Sequence, residues 1–129
     1  MIVVDASALV AIARAEPERA NFLQVLAATD QRVIGAINFV EAGMVLTQRG
    51  DAFSAANFDQ LLADLQVEVR EDVALADLAL AAYLRFGKGR HPARLNLGDC
   101  FAYALAKQLD APLLYKGDDF AQTDVRSAL

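Results

Sequence analysis

Met1-Ile2-Val3-Val4-Asp5-Ala6-Ser7 is the stretch that decides the fold. Ile2, Val3 and Val4 form a β-branched apolar run, the pattern of a short strand buried on both faces. The run stops at a carboxylate, and Ser7 stands just before the apolar stretch Ala8 to Ala15, where a helix N-cap is expected. A buried strand that feeds a helix opens a βαβ unit. In open α/β sheets, ligands bind beyond the carboxyl ends of the strands, so Asp5 stands where a site would form.

The same alternation continues outward from that strand. Leu9, Val10, Ile12 and Ala13 give one helical face, and Pro17 suits the first turn of a second helix carrying Phe22, Leu23 and Leu26. Residues 32–36 read as a second strand, and Asn38 is a candidate cap for a third helix that holds Glu41 in its first turns. Gly50-Asp51 reads as a stop and a new start, followed by a helix through Phe58, Leu61, Leu62 and Leu65. Val67-Glu68-Val69 is a third strand, and Asp72 opens an alanine-rich helix running to about Phe86. The loop Gly87-Lys88-Gly89-Arg90-His91-Pro92 separates it from a helix beginning at Asn96 or Gly98. Residues 112–115 form a fourth strand, and the tail Val125 to Leu129 is a candidate edge strand. The expectation is one α/β domain over residues 1–129, with a mainly parallel sheet of four or five strands between two helical layers.

Bulk properties set the boundaries. The 129 residues suffice to bury a core, and no apolar run is long enough to span a bilayer. The first residues lack the basic region and cleavage site of a signal peptide. Cys100 is the single cysteine, which excludes an intrachain disulfide, so a cytoplasmic protein is expected. The net charge of −5 argues against a generic electrostatic nucleic-acid binder. It leaves open a metal-dependent enzyme, because bound divalent cations reverse the field of a carboxylate site.

Acids recur at equivalent places. Asp5 and the pair Asp118/Asp119 follow buried strands, while Glu41 and Asp99 lie near helix starts. All of these belong to one edge of a doubly wound sheet, so about four carboxylates should converge. Each has an ordinary explanation taken singly. Asp5 can stabilise a helix start, Asp99 fits the N3 place of a capping box opened by Asn96, and Asp118 and Asp119 suit a turn beside Gly117. Their crowding is harder to dismiss. Two unit charges 4 Å apart repel by about 4 kcal/mol at an effective dielectric of 20. Such a cluster takes up protons or holds cations, and hard oxygen donors favour Mg²⁺ or Mn²⁺.

Other chemistries fail for want of residues. His91 is the only histidine, which removes a two-histidine mechanism, and it sits in a loop with no nucleophile beside it. Cys100 reads as a packed small residue. Arg85, Lys88, Arg90, His91 and Arg94 form either a solvated loop or a phosphate-gripping rim ahead of Asp99. Tyr83, Phe86 and Tyr103 stand at spacings more typical of core than of base stacking.

Met1-Ile2-Val3-Val4-Asp5-Ala6-Ser7, Asn38-Phe39-Val40-Glu41, Leu97-Gly98-Asp99-Cys100 and Lys116-Gly117-Asp118-Asp119-Phe120 together resemble, in order and spacing, the PIN-domain ribonucleases. Length and the last two motifs look most like the VapC-type toxins of bacterial toxin–antitoxin pairs. The resemblance implies Mg²⁺ or Mn²⁺ held chiefly by Asp5 and Asp99, with Glu41 and Asp118 completing the acidic set. Ser7 would support the set by hydrogen bonding, with Asn38 and Asp119 beside it. Many relatives carry Thr or Ser shortly before the last acid, where this chain has Tyr115-Lys116. Asp118 and Asp119 therefore both stay open as the fourth acid, with Asp118 favoured.

The implied activity is endonucleolytic hydrolysis of RNA, with Arg85, Lys88, Arg90 and Arg94 on the RNA. The implied partners are a small cognate antitoxin and a second copy in a homodimer or larger hetero-oligomer. The helices at Ala8 to Ala15 and Phe53 to Leu65 are the candidate antitoxin surfaces. The competing expectation is a catalytically weak PIN-like module that works by binding its antitoxin and regulating transcription. A further one is an RNA-processing or DNA-structure nuclease with no antitoxin.

Overall fold

A computed structural model describes residues 1–48, 53–71 and 73–129. β1 (Ile2–Val4) leads through α1 (Ala6–Ala13) and α2 (Arg19–Ala27) to β2 (Arg32–Gly35). α3 (Ala36–Leu46) and α4 (Ala55–Leu65) lead to β3 (Val67–Arg70), and α5 (Ala76–Phe86) and α6 (Leu97–Gln108) lead to β4 (Leu113–Leu114). A 3₁₀ turn, Phe120–Gln122, follows. The sheet has the order β3-β2-β1-β4, and every pairing is parallel. The tail adds only an isolated bridge, Leu113 to Ser127, in place of a fifth strand.

The pleat sorts the core. Ile2, Val4, Ile34 and Leu114 face a cluster with Leu9, Ile12, Phe22, Leu46 and Phe58, under α1 to α4. Val3, Val33 and Leu113 face the other way, onto Phe86, Leu95, Tyr103 and Leu105 of the α5–α6 layer. β1 is therefore apolar at every position because it is covered on both sides. The chain winds outward from β1 to β3 along one face and returns along the other to β4, on the far side of β1. That reversal falls between β1 and β4, the place where open α/β sheets bind their ligands, and Asp5 stands there at the carboxyl end of β1.

Several boundaries differ from the sequence expectation. The cap of α1 is Asp5 rather than Ser7, because Asp5 is still extended (φ −81°, ψ 156°) and its side chain accepts from the Ser7 N–H. α3 starts directly off β2 with Gly35 as N-cap, so Asn38 lies inside the first turn and is buried. Pro17 sits in the turn closed by the Arg19 N–H on the Glu16 carbonyl, ahead of α2. Asn96 caps α6 with the reciprocal box to Asp99. The proposed boundaries at Gly50-Asp51 and Asp72 lie outside the described residues.

Candidate active site

Asp5 is buried at the end of β1, where its N–H donates to the Leu114 carbonyl at 2.9 Å. Its Oδ2 accepts from the Ser7 N–H at 3.0 Å and from Ser7 Oγ at 2.6 Å. Its Oδ1 is buried with no hydrogen-bond partner. A buried carboxylate with one oxygen saturated and the other left open is an acceptor awaiting a donor or cation. Burial pushes the Asp5 carboxyl pKa up, against the opposing pull of Ser7 and the Ala6 N–H.

Glu41 reaches the same place from the second turn of α3. Burial raises its pKa first, and the charge of Asp5 raises it further. Buried Asn38 sets its position, donating at 2.9 Å to the Gly98 carbonyl of α6 and lying 3.5 Å from Glu41 Oε1. Gly98 matters for what it lacks. A Cβ on Gly98 would stand 2.6 Å from Glu41 Oε1 and closer still to Oε2, so the carboxylate occupies the space of the missing side chain.

Asp99 follows immediately, at N3 of α6. Its Oδ2 accepts from the Asn96 N–H at 3.0 Å, while its own N–H donates to Asn96 Oδ1 at 2.9 Å. Its pKa is pushed up to about 7, mainly by burial and then by the charges of Asp5, Glu41 and Asp119. The cap and the acid cluster are thus the same residue. Asp99 is both a helix-start residue and a member of a crowded acidic pocket.

The last motif turns at Gly117, whose φ of 102° is a backbone angle that side chains rarely allow. Asp118 and Asp119 are both exposed, and Asp119 is the one whose field reaches Asp99. Among the described residues no group of three His, Cys, Asp or Glu side chains is closed into a ready-made metal cage. Mg²⁺ does not require one. It keeps several waters and is held by one or two carboxylates plus substrate phosphate. The open Asp5 Oδ1 and the all-oxygen donor set fit such an ion.

The basic segment has a different character. Arg85 is 3.4 Å from Asp124 and lies over the Phe86 ring, and Arg90 lies over the Tyr83 ring. Lys88 and Arg94 are exposed, and Arg94 takes a left-handed backbone with φ 56°. The His91 Nδ1 accepts from the Ala93 N–H at 3.0 Å and its ring meets Phe86 edge-on, so it braces the loop. Phe86, Tyr103 and Cys100 are buried in the α5–α6 layer.

Three contacts of the site were not legible in the sequence. Gly98 left no signal because its role is an absence. The Asn38 link to Gly98 joins residues sixty apart in the chain. Lys116 was noted only as unusual, yet its N–H donates to Ser7 Oγ at 3.0 Å.

Comparison with known proteins identifies the family. The PIN domain family model matches residues 2–126. Ribonuclease VapC28 of Mycobacterium tuberculosis is 42% identical over 130 residues, covering 99% of this chain and 98% of that protein. Ribonuclease VapC of Mycolicibacterium smegmatis is 44% identical over 126 residues, covering 96% and 97% respectively. A crystal structure of Mycobacterium tuberculosis VapC20, described as a sarcin-ricin loop cleaving toxin, matches with a TM-score of 0.71. That match covers 97% of this chain and 96% of the other at 17% identity, and it concerns the fold alone. The chain belongs to the PIN-domain family and, within it, to the VapC ribonucleases.

Proposed function

We propose that this protein is a Mg²⁺- or Mn²⁺-dependent endoribonuclease that acts as the toxin of a toxin–antitoxin pair. The observation that carries the reading is the meeting of Asp5, Glu41 and Asp99, from three separate elements, in mutual electrostatic range. Asp5 Oδ1 and the Asp99 carboxylate are the groups that would hold the ion. Asp119 completes the set in preference to Asp118, since its charge is the one felt by Asp99. When bound, the ion lowers the pKa of water and offsets charge growing on the scissile phosphate.

The chain's own residues do the rest. Ser7 saturates Asp5 Oδ2 with two donors, which fixes the carboxylate and leaves Oδ1 without a partner. Asn96 fixes Asp99 in the same manner through the capping box. Glu41 is less tethered than Asp5 and Asp99, with a 3.5 Å contact to Asn38, and burial beside Asp5 raises its proton affinity. It is the acceptor for a proton leaving the attacking water. Arg90 and Arg94 supply phosphate contacts along the RNA, with Lys88 beside them. Arg85 contributes less, because Asp124 already engages it.

A protein partner has a surface ready. Ile37, Val40 and Met44 of α3 and Leu97 at the start of α6 are exposed apolar residues bordering Glu41 in a groove of about 480 Å³. Leu80, Tyr83 and Leu84 extend exposed apolar surface along α5. Neither α1 nor α4 carries a large exposed apolar side chain among the described residues, so the antitoxin and second-copy contacts are better assigned to α3, α5 and α6. Among the described residues no helix is long and apolar enough to cross a membrane.

Lys116, which stands before the last acid, gives the weakly catalytic alternative no support. Its ammonium is engaged by Glu16 and Glu18, so it does not neutralise the acidic pocket. The test is RNA cleavage by purified parent and Asp5→Ala protein, with Mg²⁺, Mn²⁺ or chelator. Cleavage by the parent alone, and only with metal, is expected. An Asp5→Ala protein that cuts RNA like the parent overturns the assignment.

A further inference from the structure

Lys116 grips α1 at both ends. Its N–H donates to Ser7 Oγ at 3.0 Å, in the first turn of α1. Its Nζ bonds to Glu16 Oε2 and lies 3.3 Å from Glu18 Oε2, just beyond the other end of α1. α1 has eight residues and so spans about 12 Å at 1.5 Å per residue. A lysine and a glutamate side chain meeting end to end bridge that length. All three charged side chains are about half-buried, and one ammonium serves both carboxylates.

This strap has a consequence for the site. A hydroxyl has one proton. Because Ser7 Oγ accepts from the Lys116 N–H, its proton is directed to Asp5 Oδ2, at 2.6 Å. That commitment is what leaves Oδ1 as the open oxygen. The same backbone then turns at Gly117, two residues before Asp119, whose charge acts on Asp99. We propose that Lys116 is a positioning residue, clamped by Glu16 and Glu18, that orients Ser7 toward Asp5 and so presents Asp5 Oδ1 and Asp119 to the metal. The inference rests on the reading of Asp5 as a metal ligand. It adds a control point outside the acidic set, one hundred residues from Glu16 in the chain.

The experiment uses the full chain as parent, Lys116→Met, Lys116→Arg, Glu16→Gln/Glu18→Gln, and the triple variant combining Lys116→Met with the two glutamines. Mn²⁺ binding is measured by calorimetry, and RNA cleavage is separated into kcat and KM at saturating metal. Residues that orient metal ligands typically change affinity or activity by 10- to 100-fold. Lys116→Met and the double glutamine variant should each weaken Mn²⁺ binding and lower kcat by about tenfold, with KM for RNA within about twofold of the parent. Lys116→Arg should recover most of both, and the triple variant should be no worse than Lys116→Met. Parent-like Mn²⁺ binding and turnover in Lys116→Met overturns the proposal, as does a triple variant showing the product of the separate losses. If Lys116→Met does not fold, the double glutamine variant carries the same test.

Amide exchange at Lys116, read by NMR without metal, separates this proposal from the functional reading. A parent that neither binds Mn²⁺ nor cuts RNA refutes the functional reading. The strap then stands if the double glutamine variant exchanges its Lys116 N–H at least about tenfold faster than the parent, and falls if the rate is unchanged.

Discussion

Replacing Gly98 with alanine should disable the protein without unfolding it. The added Cβ would stand 2.6 Å from Glu41 Oε1 and closer still to Oε2, well inside contact distance. The obstructing atoms are the tip of a flexible, half-buried side chain, so Glu41 swings away instead of the helix shifting. The losses on moving it are small: a 3.5 Å contact with Asn38, and proximity to Asp5 that is itself repulsive. Against them, alanine gains up to about 1 kcal/mol over glycine in a helix. The net change in unfolding free energy should lie within about 1 kcal/mol of zero, and a gain in stability is the more natural outcome. Activity should respond differently, because displacing a reacting group by about 1 Å can cost about 10²-fold. Urea denaturation at pH 7.5 reads the first quantity, and metal-dependent cleavage of a defined RNA reads the second. Parent-like cleavage by Gly98→Ala would refute the placement of Glu41. A loss of stability beyond about 2 kcal/mol would refute the claim that only a side-chain tip must move.

Two further outcomes follow from the charges. Asp99 has a folded pKa of about 7 against an ordinary value of 3.8, so between those limits the folded chain holds a proton that the unfolded chain has released. Metal-free stability must therefore fall as pH rises through that window, fully by about pH 8. The unscreened ceiling is about 4 kcal/mol, and solvent access reduces the expected loss to roughly 1–2 kcal/mol. Asp99→Asn should flatten this part of the profile in denaturation series at pH 5 and pH 8, and a profile as steep as the parent's would contradict the assignment. Neutralising Arg90 and Arg94 together should weaken RNA binding and reduce the slope of log affinity against log salt by about 1 to 2. Unchanged affinity and slope would return those residues to a solvated loop.

Much of this was legible in the sequence, for identifiable reasons. β1 announced itself because a strand covered on both faces must be apolar throughout, and Ile2, Val3 and Val4 divide between the two cores. The convergence of Asp5, Glu41 and Asp99 followed from winding alone, since β1 and β2 deliver their carboxyl ends to one edge and α6, which runs back to the start of β4, begins at that edge. The capping box of Asn96 and Asp99 is local, and a three-residue spacing revealed it. Helix starts were less legible, because Asp5 and Ser7 are both good caps and only the backbone angle at Asp5 decides between them. The choice between Asp118 and Asp119 depends on the turn at Gly117, which composition does not specify. The roles of Gly98 and Lys116 were invisible because both are set by partners far away in the chain, Glu41 for one and Glu16 for the other.

The central claim is that acids from β1, α3 and α6 form a pocket that binds a divalent ion, and anomalous scattering from Mn²⁺-soaked crystals of the protein tests it most directly. A peak between Asp5 and Asp99, abolished by Asp5→Ala, is the predicted result. Crystals of active protein in saturating Mn²⁺ that show no peak there, or a peak only elsewhere, would contradict it.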